Sequence, residues 1–252
     1  MNQRSLRTVP LPDGDVCLFL DFDGTLVDFA ATPDGVPRDD SLVRLLETVQ
    51  QALDGALALI SGRAVDTLDT FLAPLRLPVA GLHGYERRAA DGAVFRPPEM
   101  PAHLERLRAE LQQYVATRPG LLLEDKRSSL AVHFRRAPHH RDSVRAMFER
   151  FSAGMSPDLE LLEGDAVVEV KPASHNKATA IEAFMHEPPF AGRLPIFIGD
   201  DVTDRDGFEA VQRYGGMAIA VGDRVTAPWR LPDPGAVRNW VRELARERCT
   251  LS

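Results

Sequence analysis

The stretch Cys17–Phe29, CLFLDFDGTLVDF, decides how the chain is read. It begins as an apolar strand and ends on two aspartates, Asp21 and Asp23, followed by Gly24 and Thr25. Two neighbouring carboxylates that leave water repel each other, so the pair needs hydrogen bonds or a cation to stay ionised. The stretch is therefore either a polar turn or one edge of a metal site. Val16–Leu20 is apolar at every position, as a strand covered on both faces by helices in a parallel sheet must be.

Working outward, Leu42, Leu45, Leu46, Val49 and Leu53 recur at helical spacing, Ala56–Ile60 reads as a second strand ending on Ser61, Gly62 and Arg63, and Ala64–Leu72 as a second helix. This βαβα opening predicts an α/β fold with a doubly wound, Rossmann-like parallel sheet. Ligands of such sheets bind beyond the carboxyl ends of the strands, where Asp21, Asp23 and Ser61 fall. From about residue 86 the pattern changes. ERRAADGAVFR reads as a hairpin around Asp91 and Gly92, Ala102–Thr117 as a helix, GLLLEDKRSSLAVHFRR as two strands, His139–Phe151 as a helix and LELLEGDAVVEV as a hairpin turning at Gly164 and Asp165. Hairpins make antiparallel sheet, so residues 86–171 are expected to form an inserted α+β domain between two parts of the core, 1–85 and 172–252. After Pro172 the alternation resumes with a helix from Lys177 to Phe184, the strand PIFIGDD, a helix from Asp204 to Tyr214, the strand MAIAV and a last helix capped by Asp233 with Pro234 at its first position.

Composition excludes several classes. A length of 252 residues with 44% hydrophobic content can bury a sizeable core, and a formal charge of −7 argues against a nucleic-acid surface. Two cysteines, Cys17 and Cys249, give no disulfide framework, and no segment has the apolar length of a signal core or a membrane span. A soluble, cytoplasmic protein without membrane or nucleic-acid partners is expected.

The second half completes the opening motif. FIGDDVTDRDGF ends a further strand on Asp200 and Asp201, with Asp204 just beyond, so five carboxylates gather at one sheet edge. Hard oxygen ligands in that number call for Mg2+, which resolves their repulsion. Singly each motif is weak: DG is usually a turn, Ser61 could cap the helix at Ala64, and Lys177 reads as a solvated helix residue. Their order is the strong signal.

Strand-DxDGT, strand-S, K, then strand-GDDxxD resembles the four-motif signature of the haloacid dehalogenase-like superfamily, over nearly the whole chain. The resemblance implies an aspartyl-phosphate mechanism, with Asp21 as nucleophile and Asp23 as general acid/base. It implies phosphate contacts from Gly24, Thr25, Ser61, Gly62, Arg63 and Lys177, and metal ligation by Asp21, Asp23 and Asp200 supported by Asp201 and Asp204. Asp23 favours a phosphatase or phosphomutase over the superfamily's dehalogenases, which lack the second aspartate, and its ion pumps, which carry threonine there. A phosphoaccepting signalling domain shares the acid-and-lysine site but has about half this length, and an inactive sugar-phosphate sensor is disfavoured because every motif residue is present.

The inserted segment narrows the resemblance. GLHGYERR, LEDKRSSLAVHFRR and VVEVKPASHNKATAI are similar to the trehalose-6-phosphate phosphatase family, which implies a substrate-specificity cap over the active site and hydrolysis of trehalose 6-phosphate. By that resemblance Glu124, Lys126 and Glu169 hydrogen-bond glucose hydroxyls, and His83 joins them near the cap hinge, although read alone it follows a core strand as a structural histidine would. The competing reading of the three cap residues, a solvated cross-strand charge network worth little in stability, is the less favoured one. Ala178, Tyr85 and Arg205 depart from the family pattern, which has glycine, a small residue and an acid there. The expected partner is a small-molecule sugar phosphate bound by a monomer, with sucrose 6-phosphate or another phosphorylated glycoside as the alternative substrate.

Overall fold

The computed structural model describes residues 9–28, 37–96, 102–126, 129–152, 159–164 and 166–251. The first part of the chain supplies β1 (Val16–Leu20), α1 (Asp40–Ala52), β2 (Leu57–Ile60), α2 (Val65–Leu72), β3 (Val79–Gly81), β4 (Glu86–Arg88) and β5 (Val94–Phe95). Next come α3 (Ala102–Ala116), β6 (Leu122–Asp125), β7 (Leu130–His133), α4 (Arg141–Ser152), β8 (Leu159–Glu163) and β9 (Val167–Pro172). The last part holds α5 (Lys177–Met185), β10 (Leu194–Gly199), α6 (Arg205–Arg213), β11 (Met217–Val221), β12 (Trp229–Leu231) and α7 (Pro234–Leu251).

Two compact units result, Met1–Phe95 with Asn176–Ser252, and Arg96–His175. In the larger unit one sheet runs β12-β11-β10-β1-β2-β3-β4-β5, parallel from β12 to β3 and antiparallel beyond. The unit boundaries differ from the expected 85/86 and 171/172. The 86–95 hairpin pairs with β3 and extends the large sheet, because Glu86 follows β3 after a single tight turn and continues its ladder through Gly81↔Glu86. Strand β12, only three residues long, is too short to announce itself in the sequence. The helix expected from His139 starts at Arg141, because Pro138 opens a separate 3-10 turn over Pro138–His140. Asp165, placed at a hairpin turn from sequence, lies outside the described residues, as do Arg127 and Ser128 of the LEDKRSS segment.

β1, flanked by β10 and β2, is the buried centre of the sheet. All five of its residues are buried, and Phe19 stacks on Phe190 with ring centroids 5.4 Å apart, Phe184 closing the aromatic cluster. Full burial on both faces is why this strand shows no polar alternation. Asn176 and Thr179 form a reciprocal capping box at the start of α5, so the helix opens normally at Lys177 although alanine follows the lysine.

At the start of α1, Asp39 accepts hydrogen bonds from the Ser41 and Leu42 amides and pairs with Arg238, whose Nε also donates to Leu26 O at 2.7 Å. The Ser41 hydroxyl and Arg238 hold Asp39 well below the usual carboxylate range. A group with a depressed folded pKa stabilises above its unfolded pKa and loses that contribution as acid protonates it. Asp39→Ala should therefore lower stability by about 1 kcal/mol at neutral pH. The difference between the two proteins should narrow below about pH 4, measurable by urea unfolding at several pH values.

The smaller unit is a four-stranded antiparallel sheet, β6-β7-β9-β8. Leu130, Val132, Val168 and Val170 point to one face, where Leu104, Leu107 and Leu111 of α3 and Val144 and Phe148 of α4 complete a separate core. The other face carries Glu124, His133, Glu169 and Lys171, since residues opposite one another in antiparallel strands share a side. No helix among the described residues is long and apolar enough to cross a membrane.

Candidate active site

The functional side chains of the larger unit sit where adjacent parallel strands end. Asp21 leaves β1 and Asp200 leaves β10, and the Asp21 amide donates to Ile198 O at 3.0 Å, locking the two strand ends together. Carboxylate oxygens of Asp21, Asp200 and Asp204 lie within 4.8 Å of one another, all buried. Lys177, at the first position of α5, inserts its ammonium between two of them, 2.7 Å from Asp21 Oδ1 and 2.5 Å from Asp204 Oδ1. Burial pushes Asp21 well above the usual carboxylate range, with the Asp204 and Asp200 charges adding to the rise and Lys177 opposing it. Asp200 is pushed up to about 7, by burial first and then by Asp204. Burial alone would lower Lys177, but its two carboxylate partners outweigh that and hold it above its ordinary value.

Asp204 is spent on scaffolding. Its Oδ2 accepts the amides of Asp200 and Asp201, each at 2.9 Å, and its Oδ1 takes Lys177. Gly199 makes room for it, since a Cβ at that position would fall on the Asp204 carboxyl. Asp200 differs: its buried Oδ1 has no hydrogen-bond partner among the described residues. An orphaned carboxylate oxygen beside a second buried carboxylate is what a hard divalent cation fills, so these residues fit Mg2+. Asp21 and Asp200 have the capacity to hold the ion, with Asp204 buttressing the loop.

Two of the five expected metal carboxylates stand apart from this trio. Asp23 is gripped by Arg63 through two hydrogen bonds, Nε–Oδ2 at 2.5 Å and Nη2–Oδ1 at 2.7 Å. Asp201 caps the turn at Val202 and is partly exposed. Arg63, expected on phosphate, is thus committed to Asp23, with its guanidinium 5.0 Å from the Phe71 ring centroid. Ser61 does not cap α2: its Oγ accepts the Arg63 amide at 3.2 Å and the residue is buried at the strand end. Gly24 adopts φ +79 in the turn after Asp23, and the buried Thr25 Oγ1 has no hydrogen-bond partner among the described residues.

His83, expected with the cap residues, belongs to the larger unit. Its amide donates to Ser61 O at 2.9 Å, and its ring occupies the space a side chain at Gly62 would need, with an ideal Cβ there 2.8 Å from both Cε1 and Nε2. Gly62 therefore serves to admit that ring.

In the smaller unit the expected trio does assemble. Lys126 Nζ lies 2.9 Å from Glu169 Oε2 and 4.0 Å from Glu124 Oε2. Two partners were not foreseen. Ser129 donates to Glu169 Oε1 at 2.6 Å, and His133 Nε2 lies 2.7 Å from Glu124 Oε2. Burial raises Glu124, but His133 and Lys126 outweigh it and hold the group below its usual range. Both partners were legible from strand alternation, which puts His133 on the Glu124 face. Arg224, after β11, is a third omission: its Nη1 is 3.8 Å from Asp200 Oδ2. The strand-end rule that located the aspartates applies equally to the loop that holds it.

A parallel sheet with acids and a buried lysine at its carboxyl edge, together with a separate α+β unit, is the arrangement that the resemblance to haloacid dehalogenase-like phosphatases implies. A phosphatase of that superfamily from Bacteroides thetaiotaomicron superposes with a TM-score of 0.61 at 18% identity, covering 94% of this chain and 98% of that one. The C-terminal domain of C. albicans trehalose-6-phosphate phosphatase superposes with a TM-score of 0.79 at 21% identity, over 92% of each chain. The family described as Trehalose-phosphatase matches residues 19–233. The chain is 44% identical over 231 residues to the probable trehalose-phosphate phosphatase of Sinorhizobium fredii, spanning 90% of this chain and 87% of that protein. It is 41% identical over 224 residues to the trehalose-6-phosphate phosphatase of Escherichia coli, spanning 88% and 84%. The chain belongs to the trehalose-phosphatase family.

Proposed function

We propose that the protein is a Mg2+-dependent phosphatase that hydrolyses trehalose 6-phosphate to trehalose and phosphate. The carrying observation is the buried Asp21–Lys177 pair beside the orphaned Asp200 oxygen at the strand ends. Asp21 and Asp200 would hold the cation, which supplies charge neutralisation at the phosphoryl oxygens when bound. Asp21 attacks phosphorus in line with the sugar oxygen, the phosphorus–oxygen bond to the sugar breaks, and Asp23, having exchanged the Arg63 fork for a proton from solvent, gives that proton to the departing oxygen. Asp23 then takes a proton from water as that water attacks the aspartyl-phosphate, releasing phosphate and regenerating the Asp21 carboxylate. Lys177 keeps Asp21 aimed and opposes the rise that burial imposes on it, and the Arg63 fork holds the Asp23 carboxylate between turnovers.

These strand-end groups meet only what every sugar phosphate offers. Selection of the sugar falls to the smaller unit, where Glu124, Lys126 and Glu169 form a pre-ordered polar row. Such a site rejects analogues that leave its groups unpaired. The test is a sugar-phosphate panel read by released phosphate, run on wild type and on alanine variants at these three positions. Wild type should prefer trehalose 6-phosphate to glucose 6-phosphate and sucrose 6-phosphate. Each variant should lose about ten- to a hundredfold in kcat/KM for trehalose 6-phosphate and far less for p-nitrophenyl phosphate. Equal losses on both esters, or a preference for another sugar phosphate, would refute the assignment.

A further inference from the structure

Arg224 occupies the loop leaving β11, at the same strand ends as the acidic cluster. It approaches Asp200 Oδ2 at 3.8 Å, an ion-pair separation too long for a hydrogen bond between these two groups, and 36% of its side chain is exposed. The orphaned oxygen of Asp200 is the other one, Oδ1, so a cation taken there and Arg224 address different oxygens of one carboxylate. Lys177 is buried with its ammonium between Asp21 and Asp204, and Arg63 is held by Asp23. Arg224 also faces a carboxylate, but with 36% of its side chain exposed against 3% for Lys177 and 10% for Arg63 it is the most accessible of the three to an arriving anionic substrate. Its planar fork suits phosphoryl oxygens.

We propose that Arg224 binds the phosphoryl group of the substrate at the strand-end site. This deepens the phosphatase reading and rests on it. Because the phosphoryl group is common to every substrate, Arg224 contributes to phosphate affinity and not to the choice of sugar.

The experiment compares wild type with Arg224→Gln and Arg224→Lys, all with Mg2+ present, by calorimetric titration with inorganic phosphate and by kinetics on trehalose 6-phosphate and p-nitrophenyl phosphate. Arg224→Gln should weaken inorganic phosphate binding by about tenfold and raise KM for both esters by a similar factor, with a smaller change in kcat. Arg224→Lys should recover part of the affinity, because it restores the charge without the fork. Unchanged phosphate affinity in Arg224→Gln overturns the proposal, and so does a KM increase confined to trehalose 6-phosphate. An active wild type with an unaffected variant sinks only the Arg224 assignment, whereas a wild type that releases phosphate from neither ester sinks the phosphatase reading.

Discussion

Asp21→Asn should release phosphate from trehalose 6-phosphate at about a thousandth of the wild-type rate or less, while remaining folded. The amide preserves the shape of the side chain and can still accept from Lys177, but it cannot attack phosphorus. Loss of the covalent step forces water to attack directly, without the division of hydrolysis into two easier displacements. Stability should not fall in parallel. Asp21 is a desolvated carboxylate repelled by Asp204 and Asp200, so neutralising it relieves repulsion even as it weakens the attraction to Lys177. Steady-state phosphate release and thermal unfolding, measured together, separate the two effects. Retention of more than a few per cent of activity in a folded variant would remove Asp21 from the nucleophile's role.

The second large effect is metal removal. With chelator, phosphate release should fall below about 1% of its starting value and return on adding Mg2+ in excess. Three buried carboxylates face one buried ammonium at this edge, and a phosphate dianion brought there meets a net negative field. A cation held by the folded state alone also stabilises it, by about 2.7 kcal/mol at a hundredfold excess over its dissociation constant. Mg2+ should therefore raise the melting temperature of the chelated protein without substrate. Full activity after exhaustive chelation would contradict both the cation and the role given to Asp200.

The sheet core was legible because its strands are apolar at every position and end on signature acids; β1 and β10 are the clearest cases. The neighbourhoods of those acids were not. Five aspartates read as one metal cluster because a sequence records which residues reach an edge but not which partner each one finds there. Arg63 captures Asp23 and Asp201 turns to cap Val202, while Asp204 stays beside Asp21 and Asp200 with its Oδ2 on the amides of residues 200 and 201. The 86–95 hairpin was assigned to the insert because its composition resembles antiparallel sheet, and only the ladder to β3 shows which sheet it joins. His83 was grouped with the sugar-binding residues by the family resemblance of GLHGYERR, and that its ring lies against Gly62 is a contact across the chain that no local pattern records.

The 81–84 segment links two otherwise distant parts of the site. Leu82 and His83 hold φ of 51 and 57, and their amides bond Arg63 O and Ser61 O; Gly84, at φ +99, would drive a Cβ to 2.7 Å from Asn176 O, the residue that caps the helix bearing Lys177. Ser61 and Lys177 thus rest on one stretch of backbone. For a variant library seeking new sugar substrates, this divides the chain into two kinds of position. Diversity at Gly62 or Gly84 would be spent on misplacing the phosphate chemistry for all substrates alike. On the Glu124, His133, Glu169 and Lys171 face of the smaller sheet side chains and not backbone set the geometry, so under the proposed function substitutions there are expected to change the substrate and leave the chemistry intact.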